Sequence, residues 1–155
     1  MTDFSDLLTP DTVLANSTVT TRKALFQALG AAVADRHGID PRHVADRLAE
    51  REKLGSTGFG GGIAIPHAKI AGLDGIVGAV ARLEQPIDFA AIDDMPVDFV
   101  FMLLSPPDAG ADHLKTLARV SRALRDPGFV AKLRGAGSRD ALYALLTASE
   151  TRDAA

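Results

Sequence analysis

Four histidines and a glycine-rich loop are the groups in this sequence whose chemistry reaches beyond holding a fold together. His67 follows Pro66 and the short apolar run Ile63-Ala64-Ile65. Side chains alternate along a strand, so His67 shares a face with Ile63 and Ile65. A ring fixed at a strand end with apolar support behind it suits nucleophilic or proton-transfer work, and the plainer reading is a structural histidine. His113 opens a helical stretch in which Leu114, Leu117, Ala118, Ser121 and Leu124 form the expected buried stripe. His113 falls at the border of that stripe, with Lys115, Arg119 and Arg122 opposite and Asp112 as the expected cap. Backbone N–H groups in a first helical turn attract anions, so a second imidazole there is a reasonable partner for a phosphoryl group on the first. His37, just before Gly38 at a helix C-terminus, reads as structural, and His43, in the first turn of a polar-faced helix, reads as solvated. The chain has no cysteine, hence no thiolate nucleophile. Two imidazoles fall short of the three or four protein ligands zinc takes, so no metal is expected.

The loop Gly55-Ser56-Thr57-Gly58-Phe59-Gly60-Gly61-Gly62 invites a phosphate-binding reading through Ser56, Thr57, Gly58, Gly60, Gly61 and Gly62. Three known forms fail. A dinucleotide fingerprint runs strand, loop, helix, whereas here a helix precedes the loop and a strand follows. No Gly-Lys-Ser/Thr occurs, and Gly-x-Ser-x-Gly is missing because Ser56 sits in Gly55-Ser56-Thr57-Gly58. What remains is an anion cradle of N–H groups, or glycines present for unusual dihedrals and close packing. Arg51, just upstream, is the third candidate, because a guanidinium clamps phosphate oxygens through parallel hydrogen bonds. Its plain alternative is a solvated charge at a helix end.

Those residues need elements to hold them. Residues 13–19 suggest an edge strand, and Thr20 or Thr21 an N-cap for a helix with Leu25, Ala28, Leu29, Ala32 and Val33 at helical spacing, stopped by Gly38. Pro41 opens a second helix, with Val44, Leu48 and Arg51 on related turns and Gly55 at its end. The glycine loop is too glycine-rich for either regular element, and Pro66 restricts residues 63–67 to an edge strand or a strand end. Strands follow at 76–83 and 97–104, the second an unbroken apolar run of the kind covered on both faces. Helices are expected at 112–124, 127–134 and 138–148. This order predicts an α/β fold: a mixed β-sheet flanked by helices on both sides, in a single domain over residues 1–155. Residues 1–9 and 150–155 read as fraying ends.

Composition narrows the function classes. The chain has 155 residues, 46% hydrophobic and 24% charged, which is globular composition. Lys plus Arg number 17 against 20 Asp plus Glu, so the net charge of −3 gives no general affinity for nucleic acid or anionic membrane. Seven Lys/Arg side chains (Lys115, Arg119, Arg122, Arg125, Lys132, Arg134, Arg139) lie between His113 and residue 139 with one acid, Asp126. Three short basic helices are a remote nucleic-acid-binding alternative, and a protein-docking or phosphate-attracting surface is preferred. No apolar run approaches the ~20 residues that span a bilayer, and Met1-Thr2-Asp3-Phe4 is not the start of a signal peptide, so a cytoplasmic protein without membrane insertion is expected.

At this point the motifs can be compared with a family. Arg51-Glu52-Lys53-Leu54-Gly55-Ser56-Thr57-Gly58, then Gly62-Ile63-Ala64-Ile65-Pro66-His67-Ala68-Lys69, resembles the enzyme IIA domain of the bacterial phosphotransferase system. Residues 91–98 and His113-Leu114-Lys115-Thr116-Leu117 fit the same family in order and spacing. The resemblance is to the fructose/mannitol class, and within it to the nitrogen-regulatory branch, over roughly residues 4–149. It implies that His67 accepts a phosphoryl group from a histidine phosphocarrier protein, that His113 is the second active-site histidine and that Arg51 assists. No organic cofactor or metal is implied. The regulatory reading carries partners such as potassium transporters or sensor kinases, bound according to phosphorylation state. The alternative is a transport subunit handing the phosphate to a permease component. The sequence departs from the family at Gly61, where many relatives carry Asn or an acidic residue.

Overall fold

The structure, a computed structural model, describes residues 3–148. In chain order its elements are β1 (Val13–Ser17), α1 (Arg22–His37), α2 (Pro41–Lys53), β2 (Gly58–Gly60), β3 (Ile63–Ala64), β4 (His67–Lys69), β5 (Val77–Ile87), β6 (Val97–Ser105), α3 (Ala111–Leu124), α4 (Pro127–Gly135) and α5 (Arg139–Leu146). Local chemistry sets most of these limits. The Thr21 side chain accepts from Ala24 N, and Gly38 ends α1 in the left-handed region at φ +64°. Asp40 with Pro41, Asp126 with Pro127, and Ser138 perform the same service for α2, α4 and α5.

The sheet is mixed and open, in the order β1-β5-β6-β3-β2 with β4 also paired to β6. β1 runs parallel to β5, β5 antiparallel to β6, β3 and β4 parallel to β6, and β2 antiparallel to β3. The apolar run of β6 feeds both faces of the sheet. Val97, Val100, Met102 and Leu104 pack with Leu25, Leu29, Val33, Val44 and Leu48 beneath α1 and α2. Phe99, Phe101 and Leu103 pack with Val120, Leu124, Leu133, Leu142 and Leu146 beneath α3, α4 and α5. Helices therefore cover both sides of one sheet in one domain, as the element order requires.

Four local expectations need correction. Residues 3–9 do not fray: Phe4 is fully buried edge-on to Phe101, its N–H donates to Leu146 O, and Leu7 O accepts from Gly78 N. Part of the glycine loop is a strand, because β2 needs only backbone pairing to β3, which glycine supplies as well as any residue. The run 63–67 is split at Ile65-Pro66, yet Ile63↔Phe99 and His67↔Leu103 keep one register along β6, and Leu103 N donates to Pro66 O across the gap. β5 continues past residue 83 to Ile87. Met1, Thr2 and residues 149–155, including the expected C-terminal fraying, lie outside the described residues.

Candidate active site

His67 begins β4, on the face of the sheet that Ile63 and Ile65 share and that α3 covers. Its Nδ1 lies 2.8 Å from Ile65 O. A carbonyl oxygen only accepts, so Nδ1 carries the proton and Nε2 is left with its lone pair. The ring is half-buried, and burial pushes its pKa below the ordinary 6.5, with the Arg51 cation adding to the shift and the Ile65 hydrogen bond opposing it. The His67 ring is thus tuned toward the neutral form, where sequence reasoning needs no tuning at all.

His113 faces this ring from the first turn of α3. The ring centroids are 5.6 Å apart and inclined by 52°. The expected stripe is rotated by one residue: His113, Val120, Ala123 and Leu124 are buried, whereas Leu114 is 66% exposed. The strand end of β6 claims His113 for the interior, because the buried Ser105 Oγ sits 2.6 Å from its Nδ1. Gly110, not Asp112, holds the N-cap position, and no side chain caps the helix. Burial lowers the pKa of His113 as well, followed by the charges of His67 and Lys69.

The two imidazoles open into a cleft of about 320 Å³ lined also by Arg47, Glu50, Arg51, Leu54, Ala68 and Lys69. Arg51, in the last turn of α2, reaches it with Nη1 donating to Gly55 O at 2.9 Å. Lys69 is two residues beyond His67, and strand alternation puts it on the same face. That parity is readable in the sequence and adds a cation to the cleft beside Arg51, Arg47 being paired with Glu50. Ser105 is legible only as a polar residue closing an apolar strand, a position that demands a buried partner.

The structure brings His67, His113 and Arg51 together. It does not bring the glycine loop with them: none of Ser56, Thr57, Gly58, Gly60, Gly61 or Gly62 lines this cleft. Their polar groups are engaged elsewhere. The Ser56 hydroxyl donates to Phe89 O at 2.5 Å and accepts from Gly58 N, and Thr57 donates through both N–H and hydroxyl to the buried Glu52. Gly61 N donates to Asp93 Oδ2, Gly61 O accepts from Arg134, and Gly62 O accepts from Asp98 N and Phe99 N. Gly62 is fixed by its surroundings, since at φ +81° a Cβ would stand 2.6 Å from Arg134 Nη2. Gly61 also has positive φ but faces open space, so an Asn or Asp side chain, which tolerates that region better than most, fits there. Among the described residues no three His, Cys, Asp or Glu side chains converge to hold a metal. A larger groove of about 970 Å³ between the β2–β3 hairpin and α4 contains neither histidine.

Comparison with known proteins places this mixed sheet in a phosphotransferase family. Residues 6–149 match the family of the phosphoenolpyruvate-dependent sugar phosphotransferase system, EIIA 2, and the chain belongs to that family. Within it, the chain is 46% identical over 143 residues to a nitrogen regulatory protein of Bradyrhizobium diazoefficiens, covering 92% of this chain and 94% of the relative. A nitrogen regulatory protein of Pseudomonas aeruginosa is 37% identical over 147 residues, covering 94% and 96%. The crystal structure of nitrogen regulatory protein IIA-Ntr from Neisseria meningitidis superposes with a TM-score of 0.86 at 32% identity, covering 92% of this chain and 97% of that one.

Proposed function

We propose that this protein is a cytoplasmic phosphohistidine carrier of the nitrogen-related phosphotransferase branch. It takes a phosphoryl group from a histidine phosphocarrier protein and regulates other proteins, such as potassium transporters or sensor kinases, by its phosphorylation state. The observation that carries this reading is the His67 ring, whose proton is held on Nδ1 by Ile65 O, leaving Nε2 its lone pair, and which lines a cleft shared with a second imidazole. In the step, His67 Nε2 forms the new N–P bond in line as the donor's N–P bond breaks. The electron pair of the broken bond returns to the donor ring. The positive charge of the phosphorylated ring passes to His67 with the phosphoryl group, and the Nδ1–H bond to Ile65 O supports it. Arg51 and Lys69 meet the charge on the phosphoryl oxygens, so catalysis is positioning and electrostatics. The glycine hairpin lies outside the lining of this cleft and is not assigned an anion.

Two of the seven basic side chains, Arg119 and Arg134, are paired with Asp6 and Asp98 at 2.8 Å, which reduces the free positive charge a nucleic-acid role would draw on. Among the described residues no helix is long and apolar enough to cross a membrane. The test is incubation with a phosphocarrier protein kept charged by enzyme I and phosphoenolpyruvate. An acid-labile phosphate that His67→Ala abolishes is expected. An acid-stable label, or one that survives His67→Ala, overturns the reading. His113→Ala is expected to slow transfer while leaving the acceptor intact.

A further inference from the structure

We infer that Ser105 fixes the proton of His113 on Nε2, making this second ring an uncharged hydrogen-bond donor to the phosphoryl group on His67. The inference rests on the phosphocarrier reading for its second half only. Ser105 closes β6 and is fully buried. Its hydroxyl stands 2.6 Å from His113 Nδ1 and has no other hydrogen-bond partner among the described residues. Two arrangements are possible at that contact. If Nδ1–H donated to Ser105, the serine hydrogen would be left buried without an acceptor, which is disfavoured. If Ser105 donates to Nδ1, the buried hydroxyl hydrogen is used and the imidazole must carry its one proton on Nε2, at the cleft. Nδ1 is occupied by Ser105, so Nε2 is the ring nitrogen left to meet a group on the neighbouring imidazole 5.6 Å away, centroid to centroid.

A neutral donor is suited to this place. It hydrogen-bonds a phosphoryl oxygen without holding the group as tightly as a cation would, so the phosphoryl group can leave again for a partner. No proton is transferred: His113 keeps its Nε2–H while the N–P bond forms on His67 and breaks on the donor. The depressed pKa of His113, caused first by burial, agrees with a ring that stays uncharged.

The first measurement needs no variant. Long-range proton–nitrogen correlation spectra of the unphosphorylated protein should show His113 with a pyridine-like Nδ1 and a pyrrole-like Nε2. A pyrrole-like Nδ1 in folded wild-type protein overturns the inference, whatever His67 does. Ser105→Ala should then move His113 toward a mixture of tautomers. It should also lower the maximal rate of phosphoryl transfer about tenfold, the effect of one hydrogen bond on a barrier, with the KM for the carrier unchanged. Ser105→Thr keeps the hydroxyl and should restore both readouts. A tautomer shift without a rate change, or a rate loss that the hydroxyl of a folded Ser105→Thr protein does not repair, removes the role in transfer. Should His67 accept no phosphate at all, the phosphocarrier reading and the donor role fall together. The Ser105–His113 tautomer is then still decided by the spectra.

Discussion

His67 and His113 are held below the ordinary histidine pKa of 6.5, in both cases first by burial, and the sign of that shift has two consequences. His67 is more than half neutral at pH 6.5, so, if it is the acceptor, the rate of phosphoryl acceptance should decline with a midpoint below 6.5. Rapid-quench transfer assays across pH check this, with a midpoint at or above 6.5 as the failing result. Stability follows the opposite side of the same equilibrium. The unfolded chain binds protons on these rings near 6.5 and the folded chain only below that, so the contribution present above 6.5 is lost as pH drops from there through the lowered folded values. Urea titrations at stepped pH should show that slope, reduced in His67→Gln/His113→Gln. The three side chains proposed for transfer are candidates by residue type and spacing, and the family resemblance gives them their roles. His67 follows a proline at a strand end, His113 opens a helix, and Arg51 closes one. Ser105 is not legible this way, because a tautomer-setting contact joins the end of β6 to the start of α3 only in three dimensions.

The β2–β3 hairpin shows why elements are harder to read than residues. Periodicity and caps locate the helices well, since the signals at Thr21, Asp40, Asp126 and Ser138 are local. β2 has only three residues, two of them glycine, and its pairing to β3 outweighs a composition that argues against a strand. Its foundation is a buried polar clamp: Glu52 at the end of α2 accepts from both the N–H and the hydroxyl of Thr57, with Arg22 at 3.9 Å. Glu52→Ala leaves those two donors buried and should cost about 2 kcal/mol in chemical denaturation. An unchanged midpoint would show that water replaces the carboxylate. Gly62→Ala should be destabilising by about 1–3 kcal/mol, because it combines a positive φ with a collision against Arg134. Gly61→Asn, at a positive φ but in open space, should be tolerated in the same assay.

At the scale of the whole molecule the N-terminal segment closes the core that supports His113. Phe4 fills the space against Phe101, Arg119 lies over the Phe4 ring and pairs with Asp6, and Gly78 N donates to Leu7 O. Sequence position suggests a loose end here, yet one buried aromatic ring is enough to tie the segment down. Phe4→Ala should lower stability by about 3–5 kcal/mol, measured by denaturant unfolding. A loss under 1 kcal/mol, the size of a surface change, would mean the segment is not docked. A second long-range tie comes from Arg82, whose guanidinium donates to Ala15 O, Leu133 O and Ala136 O and so joins β1, β5 and the end of α4. Arginine on a strand announces no such role in sequence, because its acceptors are main-chain atoms from distant segments. Main-chain acceptance also governs His67. The atom that decides where the His67 proton sits is the carbonyl of Ile65, which every amino acid possesses, so no point mutation deletes it. Inheritance can erase the serine that orients the second imidazole in a single step, whereas the first keeps its reactive nitrogen for as long as the strand retains its course.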